Sequence, residues 1–258
     1  MADWGDGGWS PALVAATSIA LAVLVGSAWR SPERCWWQLA TFLAGGIVLG
    51  LAGSPLLEPL ARHLVSAHML QYLLLSNVVP PLLVLGWPRA PLAAPTGSFG
   101  LLAWLFARVP VVVLAGALDV LVLFGWHVPS VYAAALRLDW LHGLQQVSFL
   151  GAGLLFWLVI RHPGAGRAHY ASTLACILLT ALPSSALGLI LFSARAAWYT
   201  AALGPRLPWG LDALQDQQLA GLILGIPPDT LDVISAIGVI IAWLRAEERR
   251  VIEREHWG

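Results

Sequence analysis

Ser66-Ala67-His68-Met69-Leu70-Gln71-Tyr72-Leu73-Leu74-Leu75-Ser76-Asn77-Val78-Val79-Pro80-Pro81-Leu82-Leu83-Val84-Leu85-Gly86-Trp87-Pro88 sets a histidine, a glutamine and a tyrosine at the mouth of an almost wholly apolar run. A helix needs about 20 apolar residues to cross a bilayer, and this run supplies them. His68 and Tyr72 are four apart, so on a helix they share one face a turn apart. Polar groups gathered at one end of an apolar body describe a membrane helix with a site at its entrance. The rest of the chain repeats the arrangement with His, Asp or Gln.

Composition agrees. Of 258 residues, 59% are hydrophobic and 11% are charged. A soluble domain carries about 25% charged residues. The formal net charge is zero, so there is no electrostatic footprint for nucleic acid and no such partner is expected. All basic residues are arginine. The two cysteines, Cys35 and Cys176, are far apart in sequence and form neither a disulfide framework nor a thiolate metal motif. The expected class is an all-α polytopic membrane protein, a bundle of seven transmembrane helices in one membrane domain over 1–258.

The expected spans are 12–29, 36–57, 68–87, 109–126, 142–160, 170–192 and 218–244, followed by a charged tail over 245–258. Met1 to Ser10 lacks the basic start of a cleaved signal peptide, so the first span is expected to be retained. Pro91 to Arg108 is mixed and suits the interface. Pro183 bends the sixth span, and Pro227-Pro228 breaks the seventh. With seven spans, Arg62, Arg137, Arg195 and Arg206 fall on one side. Arg30, Arg34, Arg89, Arg108, Arg161, Arg167, Arg245, Arg249, Arg250 and Arg254 fall on the other. The positive-inside rule makes the second side cytoplasmic, which puts the N-terminus outside and the tail inside.

On that topology His68, His127, His142 and Asp216 come from four spans and lie at one depth near the outer face. One interfacial histidine usually packs or caps; four ionisable groups at helix ends inside a bundle point to a site. Imidazole and carboxylate without thiolate suit copper, zinc or iron. His63, His162, His169 and His256 read as loop or tail residues. Two local patterns repeat, His68-Met-Leu-Gln71-Tyr72 and His142-Gly-Leu-Gln145-Gln146, each with its first and fifth residues on one helix face.

These residues resemble the CtaG-type cytochrome c oxidase assembly factors of bacteria. Four stretches carry the resemblance and cover most of 67–245. They are Ala67-His68-Met-Leu-Gln71 running into Pro80-Pro81-Leu-Leu-Val-Leu-Gly, Trp126-His127-Val-Pro129-x-x-Tyr132, His142-x-Leu-Gln-x-x-Ser148-Phe149-Leu150, and Asp216-Gln217-Gln218-Leu219-Ala220-Gly221. The resemblance implies a seven-span membrane protein that assists formation of the copper centre of a haem–copper oxidase. It also implies respiratory oxidase subunits as partners and the bacterial cytoplasmic membrane as the location. The family pattern has histidine where Tyr72 and Gln146 stand, so two expected imidazoles are missing, and Tyr72 and Gln146 are expected to approach one another, or to share a water, where a metal once sat. Copper on His68, His127, His142 and Asp216 and no metal at all are both open.

Three acids lie at membrane depth. Asp119 is about 12 Å below His127 at 1.5 Å per residue and suits a buried polar pair. Asp229 and Asp232 share a helix face just after the double proline. Asp229 reads either as a cap for a helix restarted there or as part of an ion path. No Ser-His-Asp order, phosphate loop or paired-carboxylate motif stands out, so no enzyme is expected. Three readings follow: an oxidase assembly factor, a metal-free accessory subunit of a respiratory complex, and a proton or ion path through Asp119, Asp229 and Asp232.

Overall fold

The computed structural model describes residues 36–87, 111–161, 167–199 and 208–257, with 15 and 19 besides. The expected first span and the interfacial stretch 91–108 lie outside this set, apart from those two residues. All regular structure among the described residues is helical. The helices are α1 (Trp36–Ala52), α2 (Leu57–His63), α3 (Val65–Tyr72), α4 (Val79–Gly86), α5 (Val111–Trp126), α6 (Pro129–Arg137), α7 (Asp139–Arg161), α8 (Arg167–Ser193) and α9 (Ala213–Trp257). A π-helical stretch over Leu73–Val78 joins α3 to α4.

Large apolar side chains face outward, among them Leu121 at 70% and Ile47 at 68% exposure. Exposed apolar surface on this scale belongs to a protein whose solvent is lipid. Four helical stretches are long and apolar enough to cross a membrane: Val65–Gly86, Asp139–Arg161, His169–Ser193 and Ala213–Glu253. Two bent pairs raise the number to six if each is one span: Trp36–Ala52 with Leu57–His63, bent by 50°, and Val112–Trp126 with Pro129–Arg137, bent by 75°. The chain is therefore a polytopic helical membrane protein with four to six spans among the described residues.

Several boundaries differ from the sequence expectation. The first helix of the second expected span, 36–57, ends at Ala52, where Gly53-Ser54-Pro55 follows; Ser54 Oγ accepts from Leu57 N–H before the chain turns into α2. The third starts at Val65, one turn before His68. The stretch between the expected spans 109–126 and 142–160 contains α6.

The prolines act differently from expectation. Pro80 and Pro81 have no N–H to donate, which frees the carbonyls of Ser76 and Asn77. Val79 N–H bonds to Leu74 O, five residues back, so the helix widens to π instead of ending. Gly153 of α7 packs on the freed Ser76 carbonyl; a Cβ there would lie 2.4 Å from that oxygen. Pro227 and Pro228 were expected to break the last span, yet α9 runs unbroken for 45 residues and takes in the tail. The carbonyl that Pro228 leaves unpaired is Leu224 O, and Ser184 Oγ of α8 donates to it at 3.4 Å. A neighbouring helix thus repairs the backbone. The α8–α9 crossing is close because Gly188 and Gly221 face each other: a Cβ on Gly221 would lie 2.5 Å from Gly188 O. Where α4 and α7 end, the Arg161 guanidinium donates to Val84 O and, at 2.8 Å, to Trp87 O.

The core lies where α3, the π stretch, α5, α6, α7 and the start of α9 meet. Met69, Tyr72, Leu75, Tyr132, Phe149 and Leu224 are buried there.

Candidate functional site

Above this core the helices place an unusual amount of polar surface out of reach of solvent. Glu58, Ser66, His68, Gln71, His127, His142, Gln145, Gln146, Asp216 and Gln217 are all buried. They form three neighbouring groups.

The first is centred on Glu58, which α2 turns inward. Its Oε1 receives Arg62 Nε at 3.3 Å and His142 Nε2 at 2.8 Å. Its Oε2 receives Gln71 Nε2 at 2.8 Å and Gln146 Nε2 at 2.7 Å. A carboxylate has about four lone-pair positions, and all four are used. Arg62 continues outward to the exposed Asp139 at 2.8 Å. Gln71 also donates to Ala52 O at 2.7 Å, which ties α3 to the end of α1. The other ring nitrogen of His142, Nδ1, has no hydrogen-bond partner among the described residues.

Glu58 was not among the expected site residues. In Pro55-Leu-Leu-Glu58-Pro-Leu-Ala-Arg62 it reads as half of a solvent-exposed i,i+4 ion pair. The usable signal was an acid flanked by leucine and proline at the end of an apolar span. The group includes Gln146, which was expected to approach Tyr72 or to share a water with it. The Gln146 amide donates to Glu58, because a carboxylate is a stronger acceptor than a phenol oxygen. The Tyr72 ring packs edge-on against Phe149, with centroids 4.9 Å apart, and against His127 at 5.8 Å.

The second group holds Asp216. Its Oδ2 accepts from Val65 N–H at 2.7 Å; its Oδ1 accepts from Ser66 N–H at 3.2 Å and from the Ser66 hydroxyl. Leu64 precedes α3 and has no side chain able to cap it. Asp216, 0% exposed, caps α3 from another helix, and its charge lies at the positive end of the helix dipole.

The third group is a pocket of rings. His68 lies 4.9 Å from Tyr132, 6.0 Å from His127 and 6.2 Å from Phe149, centroid to centroid. His127 ends α5. Its Nδ1 is 2.6 Å from Leu123 O, its Nε2 is 3.2 Å from Met69 Sδ, and its carbonyl accepts from Tyr199 OH at 2.7 Å. Among the described residues neither ring nitrogen of His68 has a hydrogen-bond partner, although His68 is only 1% exposed. Buried polar atoms without partners are rare and mark a place for a water or an ion.

The four expected ligands are thus distributed: His68 and His127 share the ring pocket, His142 serves Glu58, and Asp216 caps α3. Among the described residues no three His, Cys, Asp or Glu side chains converge on a point that could hold a metal ion. The imidazoles of His68 and His127 lie together, and they fit a soft ion with few ligands better than a four-ligand carboxylate site.

Deeper in the bundle, Tyr72, Ser76, Asn77, Asp119, Ser184 and Asp232 line a polar cavity of about 20 Å³, room for roughly one water. Ser76 Oγ donates to Asp119 at 3.4 Å. Asp229 does not cap a restarted helix, since α9 is continuous; its carboxylate accepts from Ser185 Oγ at 2.7 Å.

Among curated proteins, the chain is 26% identical to uncharacterized proteins of Mycobacterium bovis and Mycobacterium tuberculosis, over 94% of its own length and 40% of theirs. It is 27% identical to an uncharacterized protein of Mycobacterium leprae, over 84% of the chain and 36% of that protein. It therefore spans about two fifths of the length of these relatives. No solved structure matches it. Residues 20–246 match the family described as cytochrome c oxidase caa3 assembly factor, and with most of its length covered the chain belongs to that family.

Proposed function

We propose that this protein is a multi-pass factor of the bacterial cytoplasmic membrane that helps form or mature the copper centre of a haem–copper respiratory oxidase, with oxidase subunits as its partners. Membership of the assembly-factor family supports the oxidase role and favours a non-catalytic one. The copper role rests on one observation: His68 is buried beside His127, and neither of the His68 ring nitrogens has a partner among the described residues. An imidazole kept in that state is prepared for an electrophile that arrives later. The Arg distribution supports an outer placement of the site, with the N-terminus outside and the tail in the cytoplasm.

A deletion strain tests this reading. Oxidase purified from it should contain its haem and lack copper. The wild-type gene should restore the copper, and a His68→Ala/His127→Ala gene should not. Full copper in oxidase from the deletion strain would refute the copper role.

A second reading is a metal-free scaffold held to the oxidase. Its support is the Glu58 group, in which Gln146 and His142 are committed to a carboxylate. It expects the double-histidine variant to restore oxidase as well as wild type does. A third reading, a proton path through Asp119 and Asp232, has the 20 Å³ polar cavity between them as its support. It expects Asp119→Asn to alter proton flux in proteoliposomes.

A further inference from the structure

We propose that Met69, His127 and His68 form a site for a single cuprous ion, Cu(I), and that Met69 makes it selective for that oxidation state. The inference rests on the copper-handling reading above and supplies its ligand set.

It starts from a conflict in the hydrogen bonding of His127. Leu123 O can only accept, so Nδ1, 2.6 Å away, carries the ring proton. In the neutral imidazole Nε2 is then a bare lone pair, and it faces the thioether sulfur of Met69 at 3.2 Å. Sulfur there also offers lone pairs. Two acceptors aimed at each other repel unless an electrophile lies between or beside them. A second ring proton would supply one, at the cost of a cation on a side chain only 4% exposed, with no carboxylate bonded to it. A soft metal ion satisfies both atoms, and it also gives a partner to the unpaired His68.

The distances suit a particular coordination. With metal–nitrogen bonds of about 2.0 Å and metal–sulfur bonds of about 2.3 Å, atoms 3.2 Å apart subtend roughly 95° at the ion. An ion bound by an imidazole nitrogen lies about 3.1 Å from the ring centroid, so the 6.0 Å between the His68 and His127 centroids corresponds to roughly 150°. Two widely opened imidazoles with a sulfur at the side make a T-shaped, three-ligand arrangement. Cu(I) accepts such low coordination, whereas Zn(II) takes four tetrahedral ligands. Thioether sulfur selects Cu(I) among the biological metals. Charge points the same way. All three ligands are neutral, and the cost of burying an ion in low dielectric rises with the square of its charge, which favours a monovalent ion.

The chain has only two methionines, Met1 and Met69, which makes the test clean. Purified full-length protein in detergent is titrated with Cu(I) against the chromophoric chelator bicinchoninate, and separately with Zn(II). Copper K-edge absorption is recorded on the loaded wild type and on Met69→Leu, a substitution of similar volume. The expected result is one Cu(I) per chain with a sulfur scatterer near 2.3 Å. In Met69→Leu the scatterer disappears and Cu(I) affinity falls about tenfold or more, while any Zn(II) binding is unchanged. Cu(I) bound by nitrogen alone in the wild type, or with equal affinity in Met69→Leu, overturns this ligand set and leaves the copper-handling reading standing. No copper bound in either oxidation state overturns both. Because the wild-type spectrum alone decides whether sulfur is a ligand, the test survives a variant that fails to fold.

Discussion

Replacing Glu58 by glutamine keeps the shape of the side chain and removes one acceptor oxygen, and the structure makes that exchange expensive. Four donors converge on the carboxylate, two on each oxygen, at 3.3 and 2.8 Å on Oε1 and at 2.8 and 2.7 Å on Oε2. In Glu58→Gln one of these pairs meets an NH2 group. If the amide replaces Oε2, it faces Gln71 and Gln146. Gln71 could answer by reversing its own amide, but that forfeits its 2.7 Å bond to Ala52 O. If it replaces Oε1, it faces Arg62 and His142, and only His142 can change its protonated nitrogen. Either way at least one buried donor loses its acceptor, at about 1–3 kcal/mol each, and the charge-assisted character of the other bonds goes too. The sum is a loss of about 3 kcal/mol. Unfolding in mixed micelles with rising SDS fraction, followed by tryptophan fluorescence, measures it. Asp139→Asn is the control: Asp139 is 88% exposed in its pair with Arg62, so its loss should cost under about 1 kcal/mol. A Glu58→Gln protein as stable as that control would refute the view that Glu58 organises this end of the bundle.

Asp216→Asn should lower stability by about 1–2 kcal/mol through loss of the α3 cap, with copper stoichiometry unchanged; lost copper at undiminished stability would restore Asp216 as a ligand. Gly153→Ala should cost about 1–3 kcal/mol, because its methyl would lie 2.4 Å from Ser76 O. In the same helix Gly151 has no described residue's atom within 4 Å of an added Cβ, so Gly151→Ala should be neutral or add up to about 1 kcal/mol in the same unfolding assay. Single cysteines at Gly5 and Trp257 should react with an impermeant maleimide on intact cells at Gly5 only; labelling only at Trp257 would reverse the orientation and move the site to the cytoplasmic face.

Hydropathy and the spacing of polar residues decided the class of this protein. A chain 59% hydrophobic, with apolar runs of bilayer length, can satisfy its backbone only as helices. His68, Tyr72 and Gln146 were legible as candidate positions because each stands at the polar end of such a run. The sequence could not show what each side chain touches, because those partners lie far along the chain. Glu58 meets Gln146 across 88 residues, and Asp216 reaches Val65 across 151. Linear reading pairs Glu58 with its neighbour Arg62 on a surface, where the pair would be worth little. Only the bend after Ala52 turns that carboxylate inward. Likewise the double proline at 227–228 reads as a break, and only the packing of α8 brings Ser184 to the carbonyl that keeps α9 whole. Met69 carries no pattern at all in the sequence, since a thioether in an apolar helix is ordinary core. Its place 3.2 Å from His127 Nε2 exists only because α5 ends against α3. Local chemistry follows from composition and period; the pairing of distant polar groups follows from which helices pack together.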